Sequence, residues 1–309
     1  MDGSLVLVMI VRDHLPWSRV WPQISHKLGV LLIFDLTIAL LYVFAGATFL
    51  AVPSLPLNML GAALSIFIAF RTKSAYDRWW EARTLWGALV NSSRTLARQA
   101  LTLIRTDEES DDIHALQRKL IVLQICYVDA LRCHLRNQNP YPELRSRLDS
   151  DVIAFLRTQN NVPSALLLHM GKLLGIAFDR QWLDSYRWTA IDRTLTDVTD
   201  IQGGCERIKN TPLPKQYDYL PRVLVTFYCI LMPFGLVEGL GMLTPIASTS
   251  LSLIFITLDR IGRDIETPFA NTVHDTPMTS LSRTIEINLR QLIGSKHPQE
   301  VRPVSGFVY

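Results

Sequence analysis

The chain has 309 residues, of which 49% are hydrophobic and 19% charged, with a net charge of +3 and a mean hydropathy of +0.18. That balance is too apolar for an ordinary soluble domain and too polar for a chain lying wholly in a bilayer. The apolar content excludes global disorder, and so small a net charge gives no basic footprint for nucleic acid.

Every Lys and Arg lies outside two windows, Leu28–Phe70 and Val223–Leu258, whose sole charges are Asp35 and Glu238. Windows of that length without cations predict transmembrane segments. Met1–Val8 carries an acid and no basic run, so no secretory signal is expected. Leu28–Ala51 forms the first predicted span, long enough at about 1.5 Å per residue for a core of about 30 Å. Pro53 and Pro56 then break the helix and send the chain back. The second span, Leu57–Phe70, is short and rich in small residues (Gly61, Ala62, Ala63, Ser65, Ala69) that permit close helix approach. A helix shielded by other helices or lining a pore fits it better than one facing lipid. With no Gly or Pro from Ala62 to Trp86, the helix is expected to leave the membrane as one rod reaching about Leu103, stopped by an acidic region at Thr106–Glu108.

Asp111–Asn137 is predicted as an amphipathic helix, with Leu116, Leu120, Leu123, Tyr127, Leu131 and Leu135 at helical spacing. A loop follows at Asn137–Pro142, then helices over Asp149–Thr158, Ser164–Phe178 and Asp184–Ile208. Spans three and four are read as short: Val223–Leu236, a turn at Glu238–Gly241, and Thr244–Leu258. The turns between paired spans lack Lys and Arg, whereas Arg12, Arg19, Lys27, Arg260 and Arg263 flank the outer ends. The positive-inside rule then puts both termini in the cytoplasm. The expected division is a cytosolic N-terminal segment (1–27), spans one and two (28–70), a cytosolic helical domain (71–222), spans three and four (223–259) and a cytosolic C-terminal segment (260–309). The predicted class is all-α, with four transmembrane helices continuous with a helical bundle.

Chemistry-bearing clusters are sparse. Cys126, Cys133, Cys205 and Cys229 make no CxxC and read as buried reduced thiols. His114, His134 and His169 lack the spacing of a zinc site. His274-Asp275 has no GxSxG nucleophile to serve. Gly203-Gly204 follows no strand, so it is not a phosphate loop. Asp35, inside the first span, is a functional candidate by position, or a residue that snorkels or pairs with Arg or Lys. Glu238 is either a charge at a pore mouth or a solvated loop acid. Arg71 and Lys73 follow the second span, where they would meet exiting anions or lipid phosphates. Trp79, Trp80 and Trp86 are read as fixing helix packing and the membrane interface.

The run Phe70-Arg71, Tyr76, Arg78-Trp79-Trp80-Glu81-Ala82-Arg83, Leu85-Trp86-Gly87 resembles the signature of the bestrophin family, and the chain resembles a bacterial member. Met9-Ile10-Val11-Arg12, Gly204-Cys205-Glu206-Arg207-Ile208 with Thr211-Pro212 and Pro214, Leu243-Thr244-Pro245, and Asp264, Glu266, Pro268-Phe269, Asp275 and Pro277 agree with it. The resemblance implies a homopentamer around one central pore, with the second span lining a hydrophobic neck. Ala62, Ile66 and Phe70 match the neck positions. Four residues apart, they stack on one helix face about 6 Å apart, so five copies would make three apolar rings over about 12 Å. Such a constriction binds ions weakly and gates by losing its water. Periodicity alone favours reading Ile66 and Phe70 as ordinary packing residues, and the resemblance is what favours the pore. Ala62 is smaller than the residue expected, which widens the outer ring.

Animal bestrophins are anion channels opened by calcium, through an acidic run after a Pro-Phe pair. Here Pro268-Phe269 leads to Ala270-Asn271-Thr272-Val273-His274-Asp275, where Asp275 is the one acid. Calcium takes about six to eight oxygen ligands, so no calcium and no other cofactor is expected. The function expected is passive passage of small monovalent ions across the inner membrane, anions by family, with cations open to a bacterial member. The expected partners are further copies of the chain, the ions and the bilayer. A membrane-bound helical enzyme and a non-conducting scaffold are the rivals.

Overall fold

The computed structural model describes residues 17–106, 110–272 and 274–299. Met9–Arg12, the acidic pair at 107–108 and Val273 therefore lie outside the described residues. These hold ten α-helices and no strand: α1 (Trp17–Ala45), α2 (Ser54–Leu103), α3 (Asp111–Leu135), α4 (Tyr141–Leu144), α5 (Ser150–Arg157), α6 (Val162–Asp179), α7 (Ser185–Asn210), α8 (Lys215–Leu240), α9 (Thr244–Ile265) and α10 (Met278–Leu292). They form two compact units, the first made of Arg12–Trp79 and Pro212–Thr267, the second of Trp80–Thr211 and Pro268 onward.

Among the described residues, four stretches are long and apolar enough to cross a membrane: Ile24–Ala45, Thr48–Leu103, Val162–Asp179 and Lys215–Ile265. The last contains both α8 and α9. Val162–Asp179 is α6, in the second unit, where Leu166, Met170 and Leu174 are wholly buried in the core that α6 shares with α3. Its apolarity is used inside the protein.

In the first unit, α1 ends six residues before the predicted Ala51. Gly46 takes a left-handed φ of +66°, which stops the helix, and the Ala47 N–H turns back to the Leu41 carbonyl at 3.2 Å. The second correction concerns Pro56. It does not interrupt the chain but sits in the first turn of α2, where its missing N–H has no intrahelical acceptor to lose. From Ser54, α2 runs 50 residues without a break to Leu103, as the lack of Gly and Pro from Ala62 to Trp86 predicts. Spans three and four are longer than predicted. α8 starts at Lys215 and carries Pro221 and Pro233 inside it, α9 runs on to Ile265, and the turn between them is Gly241–Leu243, with Gly241 at φ +50°. Glu238 accordingly lies in the last turn of α8 rather than in a loop.

The buried core of this unit is small, built on Leu64, Ile68, Val225 and Cys229. Small residues bring the helices together. A Cβ on Gly61 would strike the Tyr228 hydroxyl and lie 2.8 Å from its ring carbon Cζ, and one on Gly235 would land on Leu57. Gly61→Ala is therefore expected to lower stability by about 1–3 kcal/mol through overpacking. Tyr228→Phe, which removes the first atom struck, should return part of the loss. Thermal melts of the single and double variants in one detergent check this; a wild-type melt for Gly61→Ala refutes the close approach.

The second unit is an ordinary protein core. Trp86, Leu89, Leu96 and Ala100 of α2 pack with Leu120, Tyr127 and Leu131 of α3, Leu174 of α6 and Val198 of α7. α10, not predicted from the sequence, closes it with Met278, Leu281, Ile285 and Leu289, spaced three and four apart. Asn137, at φ +54°, ends the turn after α3, and the Asp184 carboxylate accepts the Arg187 N–H to cap α7. α4 occupies part of the predicted Asn137–Pro142 loop.

Candidate functional site

On α2, Gly61, Leu64, Ile68, Arg71 and Ala75 are buried, while Leu55, Met59, Ala62, Ile66 and Phe70 are exposed. The buried set points into the first unit. The exposed set follows a second line along the helix at spacings of three and four, with Ile66 58% and Phe70 67% exposed. Sequence reasoning singled out Ala62, Ile66 and Phe70, and the structure puts all three on this one face. The same face continues to Lys73 and Asp77, both exposed and joined to one another as an i,i+4 ion pair, with Lys73 Nζ 5.6 Å from the centre of the Tyr76 ring.

Arg71 is placed otherwise than expected. It was a candidate exit charge, but it is 1% exposed and turned into the unit. Its Nη2 donates to Asp218 Oδ1 (2.9 Å) and Glu266 Oε2 (3.1 Å), and its Nη1 to the Asp259 carbonyl (3.2 Å), with the Asp259 carboxylate 3.6 Å away as an ion pair. Its Nε donates to the Tyr217 carbonyl at 3.0 Å. That carbonyl is the i−4 acceptor that Pro221, lacking an N–H, cannot use. The guanidinium thus fills a gap in the α8 ladder and ties α2 to α8 and α9. Beside it, the Arg78 Nε donates to the Glu266 carbonyl at 3.2 Å. Burial pushes the Glu266 carboxyl up, against the pull of Arg71.

Asp35 is wholly buried, and its Oδ2 accepts the Thr249 hydroxyl of α9 at 3.1 Å. Its partner is a hydroxyl rather than the Arg or Lys expected, because no cation exists anywhere in its window. Glu238 is exposed and makes no ion pair among the described residues. Asp275 is spent locally: its carboxylate accepts the Asn271 N–H and the Thr272 hydroxyl, closing the turn before α10. Burial raises its pKa, against those hydrogen bonds. Among the described residues no group of three or more His, Cys, Asp or Glu side chains is arranged to hold a metal ion. All four cysteines are free and buried, and burial pushes the Cys126 and Cys205 thiols up to about 12.

The sequence motifs assemble structurally in the second unit. Glu81 pairs with Arg207, and a Cβ on Gly204 would meet Leu85 at 2.9 Å, so the Trp-Trp-Glu run of α2 lies against the Gly-Cys-Glu-Arg run of α7. Trp86 is fully buried, a packing residue as expected, whereas Trp80 is 54% exposed.

The chain is similar to known proteins over most of its length. Residues 7–291 match the family model described as bacterial/fungal bestrophin protein. The chain is 34% identical over 294 residues to a voltage-dependent anion channel-forming protein of Ralstonia nicotianae, covering 93% of this chain and 95% of that one. It is 33% identical over 294 residues to a protein of the same description from Escherichia coli K12, covering 92% and 94%. The crystal structure of a bacterial bestrophin homologue from Klebsiella pneumoniae superposes with a TM-score of 0.83 at 28% identity, over 89% of this chain and all of that one.

Proposed function

The chain belongs to the bacterial/fungal bestrophin family, and on that premise we propose that it is a homopentameric ion channel whose second helix lines a hydrophobic neck. One observation carries the reading: the line Leu55, Met59, Ala62, Ile66, Phe70 is exposed and apolar, whereas Gly61, Leu64, Ile68 and Arg71 of the same helix are buried in the unit. A single copy leaves that line without a partner. Five copies around an axis turn it into stacked apolar rings that pass ions without holding them. No catalytic step is involved, and family and relatives speak for conduction rather than an enzyme. The topology is multi-pass, with the cations outside the windows favouring cytoplasmic termini and the cell membrane as its place.

The relatives' names support anions as the permeant species. Planar-bilayer recording of the purified protein in a NaCl gradient tests both points at once. A reversal potential near the chloride equilibrium value is expected. No current from a verified pentamer, either of the wild type or of the Phe70→Ala variant, sinks the channel reading. Exposed Glu238 supports the second reading, cation passage, since five such carboxylates at a mouth attract cations. Glu238→Gln then discriminates: it leaves an anion reversal potential in place, and it moves a sodium-like potential toward zero.

Calcium plays no part in opening this channel, on this reading, because Asp275 is the one acid after Pro268-Phe269 and its oxygens already serve the turn. Chelation with EGTA is expected to leave the current unchanged. Loss of current on chelation, restored by calcium, defeats that claim.

A further inference from the structure

Between α1, α8 and α9 the first unit holds a cavity of about 490 Å³. Small-molecule sites occupy about 300–1,000 Å³. The three helices line it with the same polarity. Val43, near the end of α1, comes within 3.8 Å of a Cβ built on Gly241, so that end of α1 stands at the α8–α9 turn. The opposite end of the cavity therefore gathers His26 and Lys27 of α1, Arg222 of α8 and Arg263 of α9. Toward the turn the lining becomes apolar: Val30 and Phe34, Val225 and Ile230, and Ile256.

The charge at the cationic end is not balanced. Arg263 pairs with Asp259, the one acid of the lining. Arg222 pairs with Asp218 at 3.2 Å, but that carboxylate also serves Arg71. Lys27 makes no ion pair among the described residues and is exposed. Lys27 is thus left without a carboxylate and Arg222 shares one with Arg71, at the end of an apolar slot, in a part of the chain long and apolar enough to cross a bilayer. A soluble anion would satisfy the cations and leave the slot wet. An uncharged hydrocarbon would fill the slot and leave the cations uncompensated. A molecule with an anionic head and an acyl tail answers both.

We propose that this cavity binds an anionic phospholipid of the surrounding bilayer, with the phosphate held by Lys27 and Arg222 and an acyl chain running along Val30, Phe34 and Ile230. From His26 to Phe34 the slot follows α1 for about 12 Å, enough for the upper part of one chain. A zwitterionic lipid is disfavoured because its ammonium would stand among the cations. The site lies on the side of α1, α8 and α9, and it does not depend on the conduction reading for α2.

Native mass spectrometry of the purified oligomer, with phosphatidylglycerol and phosphatidylcholine supplied in turn, tests this. Phosphatidylglycerol should be retained several-fold more than phosphatidylcholine. Lys27→Gln with Arg222→Gln should cut phosphatidylglycerol retention several-fold and leave phosphatidylcholine unchanged, and Val30→Trp should cut retention of both. A double variant that does not assemble is replaced by Lys27→Gln alone, at an exposed site without an ion pair among the described residues. Equal retention of the two lipids overturns the proposal, as does a charge variant that keeps its phosphatidylglycerol. Competition by soluble glycerophosphate as strong as by the lipid makes it a phosphate site without a tail, which also overturns it. A lipid-free wild type whose Val30→Trp variant falls apart assigns the groove to a second copy of the chain instead.

Discussion

Phe70→Ala is expected to raise passive ion flux through the reconstituted protein about tenfold, while leaving its folding and assembly unchanged. The two halves of that statement have separate grounds. Phe70 is 67% exposed and belongs to neither buried core, so its truncation falls among surface substitutions, which change stability by about 0.5 kcal/mol or less. In the proposed pentamer, however, five phenyl rings would set the last and bulkiest apolar ring of the neck, below Ile66 and below the small Ala62. An ion crossing it sheds water against side chains that return no hydrogen bond. Lowering that barrier by about 1.4 kcal/mol is worth about tenfold in rate. Ile66→Ala should act in the same direction, with less effect because the ring removed is smaller. The measurement is salt-gradient flux into vesicles, normalised to pentamer content by size exclusion. A Phe70→Ala pentamer that conducts like the wild type would show that this face packs against something rather than lining a pore.

How much of this was readable beforehand depends on what each residue answers to. The long α2 was legible because no Gly or Pro interrupts it from Ala62 to Trp86, and Leu103 is where it stops. The proposed neck positions took their register from the Arg-Trp-Trp-Glu run, and the structure adds that Ala62, Ile66 and Phe70 are all exposed on one face. Periodicity alone favoured packing over a pore, since a pore face and a packing face are both apolar stripes and packing is the commoner use. Gly46 was missed as a stop because glycine is common inside membrane helices and only its φ of +66° shows the difference. Pro56 misled in the other direction, since it sits where its N–H is not needed; Pro221 stands inside α8 with the Arg71 side chain donating to the carbonyl it leaves unserved. α10 carried a readable signal in Met278, Leu281, Ile285 and Leu289, but the segment was read for calcium ligands rather than for helical spacing. The cavity lined by Lys27 and Arg222 had no sequence signal, because its residues come from three distant helices.

Arg71→Met is expected to be the most damaging single change in the first unit, costing roughly 3 kcal/mol of stability. Removing one partner of a buried ionic cluster leaves the others uncompensated, which typically costs about 3–5 kcal/mol. Here the low end applies, because Asp218 is 38% exposed and water screens part of its charge. Asp218 and Asp259 also keep Arg222 and Arg263, so Glu266, at 14% exposure, has the least recourse. The Tyr217 carbonyl, already denied an N–H by Pro221, loses its donor as well. The sign of the pH dependence follows from Glu266. Its folded-state pKa is raised by burial even with Arg71 in place, so its contribution is most favourable at low pH and is lost as pH rises through that raised value. Without Arg71 the pKa rises further. The deficit of the variant should therefore be largest near neutrality and shrink as the pH falls into the carboxylate range. Thermal melts of both proteins in one detergent across pH measure it, and a deficit that is absent, or that grows toward acid, contradicts the cluster. Phe70 and Arg71 are neighbours about 100° apart around one helix. The cluster that holds Arg71 thereby sets the rotation of α2 and the direction in which Phe70 points. Arg71→Lys keeps the charge but not the fork that reaches Asp218, Glu266 and the Tyr217 carbonyl together. It should melt between Arg71→Met and the wild type, with conductance altered in pentamers that survive, as a residue that positions the neck without lining it requires.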